Sequence, residues 1–204
     1  MVRLGIAVLA LAASTRAAQS QTADSVVFRL APPPASRLDV RTGKAGLLGF
    51  AGHEHLIRAR AFSGRVVYYP RTPLASHVEI RIAAESLEVL TPPDTAEVRK
   101  VTEAMRTEVL HVAQHPEITF AARTVAATAG RLRMIGALTM EGRTRDVPVD
   151  VDVSIGPDTL TASATFTVKQ SDFGIRPYRG GPGGTVRVAD RVSFEIAASA
   201  VRER

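Results

Sequence analysis

Residues 131–155 constrain this chain more than any other stretch. They read RLRMIGALTM-EGRT-RDVPVDVDVSI, two alternating runs joined by a short polar turn. In the second run Val147, Val149, Val151, Val153 and Ile155 share one face, and Asp146, Pro148, Asp150, Asp152 and Ser154 share the other. A period of two over this length is a β-strand with one dry and one wet face. The first run places Leu132, Met134, Gly136, Leu138 and Met140 at the same period. Residues 141–144 supply the turn, where Gly142 is free to take positive φ. Pro148 has no N–H for a ladder, so it is expected at a bulge or a non-bonded position. The segment therefore predicts a long antiparallel hairpin.

The rest of the chain repeats this signal. Residues 25–30, 36–44, 56–70, 77–82, 117–126, 160–168 and 186–198 all read as strands, with Gly and Pro between them. One helix stands out. Asp94 and Glu97 form a capping-box pattern behind Pro92-Pro93, and Val98, Val101, Met105 and Val109 make one apolar stripe. That helix should end near Leu110, ahead of His115-Pro116. About eight antiparallel strands, one helix and no βαβ alternation predict an all-β fold that closes on itself as a barrel, since closure removes exposed edges. A barrel of about eight strands is filled by side chains or holds one small ligand. Gly136, Ala162 and Ala164 on the presumed inner face would leave room.

The chain has 204 residues, enough for one domain with a real core. Hydrophobic residues make up 45% but aromatics only 5%, so aliphatic side chains must fill the interior. Without cysteine there is no disulfide framework, Cys-liganded metal or thiol nucleophile. The start reads as a secretory signal peptide: Met1-Val2-Arg3 is positive, and the apolar run 4–13 is too short to span a bilayer. Cleavage is expected near residues 17–20, with an uncleaved anchor as the alternative, and the mature protein is expected in the periplasm or medium. Residues 1–20 carry Arg3 and Arg16 and no acids, so their removal takes the net charge from +6 to +4. The arginines are interleaved with acids and no basic run alternates with aromatics, so a solvated basic surface is expected rather than a nucleic-acid partner.

Taken in order, KAGLLGFAGHEHLIRARAFSGRV, MRTEVLHVAQHPEITFAA, IGALTMEGRTRDVPVDV and SDFGIRPYRGGPGGTVRVADRVSFEI resemble the YceI-like family of bacterial lipocalin-like, polyisoprenoid-binding proteins. The resemblance spans roughly residues 36–198. Its most specific part is G-x-L-T-x-x-G-x-T-x-x-V from Gly136 to Val147, combined with the His-Pro-x-Ile-Thr-Phe strand and the Asp-Phe-Gly-Ile segment. It implies an extended antiparallel barrel, a helix packed near it, an elongated apolar pocket for an isoprenoid or similar chain, and export. The chain departs from the family in lacking Trp, in carrying His111-Val112-Ala113-Gln114 after the helix, and in the His-rich 53–55 segment. The domain plan is a signal peptide over 1–20, an N-terminal strand and Pro-rich connector over 21–35, and a lipid-binding barrel over 36–201.

The candidate site follows from the strand faces. The expected lining is Val78, Ile80, Ile82, Phe120, Leu132, Met134, Leu138, Phe166 and Phe194, with His53 and His55 as polar groups near the mouth. On a strand, His53 and His55 point to one side, so three readings stand beside each other: contact with a lipid head group, one histidine packed inside the barrel, or a shared divalent metal with His111 or His115 as third ligand. Arg176, Tyr178 and Arg179 form either an anion or quinone head-group site or a solvated loop. Asp172-Phe173-Gly174 matches a kinase metal motif in letters only, and no HExxH helix, G-x-S-x-G elbow or phosphate loop is present. The chain is thus expected to be a non-enzymatic lipid carrier with no cofactor and transient membrane contact, a dimer being one option for its assembly. A metal-binding protein using His53 and His55, or a filled barrel acting in stress or interaction, are the alternatives.

Overall fold

The computed structural model describes residues 25–44, 54–91, 95–180 and 186–204. The strands among them are β1 (Val26–Leu30), β2 (Arg37–Lys44), β3 (His55–Ala59), β4 (Phe62–Tyr68), β5 (His77–Ala83) and β6 (Leu87–Val89). After the helix α1 (Thr95–Ala104) come β7 (Glu117–Thr128), β8 (Arg131–Met140), β9 (Arg143–Ile155), β10 (Thr159–Lys169), β11 (Arg179–Gly180) and β12 (Val186–Arg202). All pairings are antiparallel, and β1 bonds both β4 and β12, which closes the sheet into a barrel. The leader (1–20), the Pro92-Pro93-Asp94 cap and His53 lie outside the described residues.

The barrel has eight staves because three of them are bent. β1 and β2 lie end to end along one edge of β12, opposite Arg202–Ala200 and Ala197–Val188 respectively. β3 and β4 form the next stave and β5 and β6 the third, with β2–β3–β6 making one end and β1–β4–β5 the other. The hairpin is as its alternation predicts, with Met140 opposite Arg143 and Ile135 opposite Pro148. Glu141 (φ 51°) and Gly142 (φ 67°) are both left-handed, as a two-residue type I′ turn requires. Alternate pairs counted from Met140–Arg143 make Ile135–Pro148 a non-hydrogen-bonded pair. The β9–β10 register stops at Val151, so the missing N–H of Pro148 leaves no ladder bond unmade.

β6 was not legible as a strand and shows how the fold manages its edge. On one side it pairs β3; on the other no strand among the described residues pairs it. The helix takes that place. Val89 N donates to Thr102 Oγ1 at 3.1 Å, and Arg106 Nε and Nη2 donate to Leu87 O at 3.2 and 3.0 Å. Side chains of the helical segment thus satisfy the backbone groups that an exposed edge would leave to water or another chain. Thr102→Val keeps the shape but removes the acceptor, and an unpaired buried N–H costs about 1–3 kcal/mol. We expect the Val89 amide to exchange with solvent at least tenfold faster in this variant; unchanged protection would show that the helix does not seal β6.

The main core runs through the barrel, with Leu38, Val89, Leu138, Val147, Val149 and Phe173 among its buried members. A second cluster of Phe28, Leu160 and Ala200 fills the β1–β4 end. No helix among the described residues is long and apolar enough to cross a membrane.

Candidate ligand-binding site

A cavity of about 820 Å³ occupies the β2–β3–β6 end, between the sheet and the helix. Strand alternation supplies its wall: Leu38 and Val40 from β2, Ile57 and Ala59 from β3, Leu87 and Val89 from β6. The helical segment supplies its cover through Val101, Met105, Val109 and Leu110. After Ala104 the helix widens into a π-type turn over Met105–Val109, and Leu110 N bonds Met105 O at 2.9 Å. That wider turn keeps Met105 and Val109 together on the cavity. Ile82, Ile118, Met140, Val192 and Phe194 also line it. The volume lies within the roughly 300–1,000 Å³ range of small-molecule sites, and the lining is of the predominantly apolar kind such sites use.

Polar groups gather at the rim. Glu97, Lys100, Glu103, Thr107 and Glu108 border the cavity from the helical side and Tyr178 and Arg187 from the other, while the buried Thr42 and Gln170 line it as well. His55 lines it too, with Nδ1 2.8 Å from Thr91 O. A carbonyl can only accept, so His55 Nδ1 is the donor of this bond. The segment after β10 is fixed against β12: Ser171 N and Oγ donate to the two Asp190 carboxylate oxygens at 2.8 and 2.7 Å, and Gln170 Nε2 donates to Ala189 O at 2.8 Å. The Ser171 side-chain bond, then its backbone bond, hold the Asp190 carboxyl below its ordinary pKa. A depressed carboxylate pKa means this anchor is present at neutral pH and weakens as pH falls through the folded value.

Residues 36–200 match the family described as YceI-like domain. The chain belongs to that family. Several solved structures share its fold. BcnA of Burkholderia cenocepacia superposes with a TM-score of 0.63 at 18% identity, covering 80% of this chain and 95% of that one. A polyisoprenoid binding domain from Saccharophagus degradans gives 0.61 at 14% identity, covering 86% and 98%. The Campylobacter jejuni YceI protein gives 0.57 at 16%, covering 72% and 85%. No curated protein matches the sequence.

Within this YceI-like barrel the residues singled out in sequence separate by depth. His55, Ile82 and Phe194 border the cavity. Ile80, Phe120, Leu138 and Phe166 belong to the core packing. Met134 is buried, Leu132 is half-buried, and Val78 is half-buried on β5 opposite Val66 and Ala122. The room that Gly136 leaves is taken by the Phe120 ring. Of the loop candidates, Tyr178 borders the cavity while Arg176 and Arg179 are exposed. His111 Nδ1 lies 3.0 Å from Glu141 Oε1, and His115 Nε2 lies 3.9 Å from Glu141 Oε2, which ties the post-helix turn to the hairpin. Among the described residues no group of three or more His, Cys, Asp or Glu is arranged to hold a metal. Sequence reasoning missed the β2, β3 and helical lining, although the alternation of Leu38 and Val40 and the stripe Val101, Met105, Val109 were visible.

Proposed function

We propose that this YceI-like protein is an exported, non-enzymatic carrier that encloses the chain of a polyisoprenoid or similar long amphiphile in the cavity beneath its helix. The observation that carries this reading is the character of the site: a chamber lined mainly by aliphatic side chains, with its charged groups supplied by the helical segment and Arg187. Each methylene withdrawn from water contributes about 0.8 kcal/mol before ordering costs. A dry chamber therefore supplies affinity, and the rim orients the head group. The polyisoprenoid binding domain from Saccharophagus degradans shares the fold and supports the choice of ligand. The positive, then apolar leader supports export. Loading and release would occur at the rim, in transient contact with a membrane.

Native mass spectrometry of the mature protein purified without detergent, followed by organic extraction and metal analysis of the same sample, tests this. A co-purifying lipid of defined mass is the expected result. An apo mass that no prenyl or alkyl amphiphile can shift on refilling would end the carrier reading, and one stoichiometric metal would favour the histidine alternative.

A further inference from the structure

We propose that the stacked rings of Phe166 and Phe194 form the floor of the cavity and set the length of chain the protein can enclose. This rests on the carrier reading and adds a ligand length to it. Three phenylalanines cross the barrel from separate strands: Phe120 on β7, Phe166 on β10 and Phe194 on β12. The Phe166 and Phe194 rings are nearly parallel at 4°, with centroids 4.8 Å apart, and Phe120 lies 6.3 Å from Phe166 at 22°. Of the three, Phe194 alone borders the cavity. Phe120 is held in place because its ring lies over Gly136, where a side chain would collide with it.

Beyond this stack the barrel is occupied. Met134 is buried on its wall opposite Thr124, past the Phe120–Leu138 pair, and Phe28, Leu160 and Ala200 fill the far end. An aliphatic chain entering from the rim therefore meets aromatic rings partway down rather than a through-tunnel.

The chamber's size gives the length. At the interior packing density of about 0.74, a cavity of about 820 Å³ admits roughly 600 Å³ of ligand atoms. With about 85 Å³ of atoms per isoprene unit, that is about seven units. Longer chains would leave their remaining units outside, where they add nothing to affinity.

The test is a binding series on the full mature chain, stripped of lipid, with prenyl alcohols of about three to about eleven isoprene units. Affinity should climb at least tenfold per unit up to about seven, then stay flat within about twofold. Phe194→Ala frees about 100 Å³ and should move the break upward by about one unit. Phe194→Leu, a milder truncation, guards against a variant that fails to fold and should move it by less. A climb that continues through the longest alcohol, equal binding of every length, or an unmoved break in a folded Phe194→Ala variant would each overturn the floor while leaving the carrier reading standing. Failure of every prenyl alcohol, with fatty alcohols of matched length also failing, would overturn both.

Discussion

Phe173→Ala should cost about 3–5 kcal/mol, the largest loss expected from any single truncation near the cavity. Phe173 is 1% exposed and sits in the main core, yet it belongs to neither a strand nor the helix. It ends a single 3₁₀ turn, Gln170–Phe173, and Gly174 at φ 79° reverses the chain after it. Ile175, 4% exposed, follows it into the core and borders the cavity. Two residues before Phe173, the Ser171–Asp190 bonds hold the turn to β12. Removing the ring leaves a void that these tethers prevent the turn from closing, so most of the cavity penalty is retained. The measurement is urea unfolding, read as a lower midpoint at unchanged slope. Asp172→Ala, at the exposed position beside it, should stay within about 0.5 kcal/mol. A Phe173→Ala loss below about 1 kcal/mol would mean that the segment is not packed as described.

Phe173 also shows where sequence reading stops. Its letters sit in a Gly- and Pro-rich stretch with no period, so nothing local separates a core residue from a loop residue. Where period was present, the fold was legible. The hairpin from Arg131 to Ile155, the strand faces and the end of the helix near Leu110 all follow from spacing. β6 did not, because three residues cannot display alternation and its second edge is satisfied by Thr102 and Arg106 from another element. The site was half legible for a related reason. A period of two tells which face a residue occupies but not how far along the barrel axis it lies. Val78, Ile80 and Ile82 share one face of β5, yet of the three only Ile82 reaches the cavity, since depth depends on where β5 pairs β7 and where the helix sits.

Gly136 is the position where inner-face space and packing meet, and Gly136→Val is expected to cost about 3 kcal/mol or more. Gly136 is buried on β8 opposite Ala122 and Val147. A Cβ built there falls within the van der Waals envelope of Phe120 Cε2 and Cζ and lies 3.0 Å from Cδ2. Valine adds two methyls beyond that Cβ. The ring cannot retreat freely, because Phe166 stacks beside it and Phe194 beyond. The backbone asks nothing unusual of Gly136, since positive-φ glycines occur instead at Gly130, Gly142 and Gly174. The penalty is therefore steric, which a second substitution can reveal. Phe120→Leu alone should cost about 1–3 kcal/mol as a partial truncation. Combined with Gly136→Val it should cost less than the two separate losses added together, by about 1–3 kcal/mol, because the branched side chain then fills space the ring has vacated. Additive losses would place the valine's strain elsewhere and remove Gly136 as the reason Phe120 lies across the barrel. If the coupling is found, the floor of the cavity traces to a residue that does not touch it: glycine on β8 admits the Phe120 ring, Phe120 flanks Phe166, and Phe166 backs the Phe194 ring that any bound chain would meet.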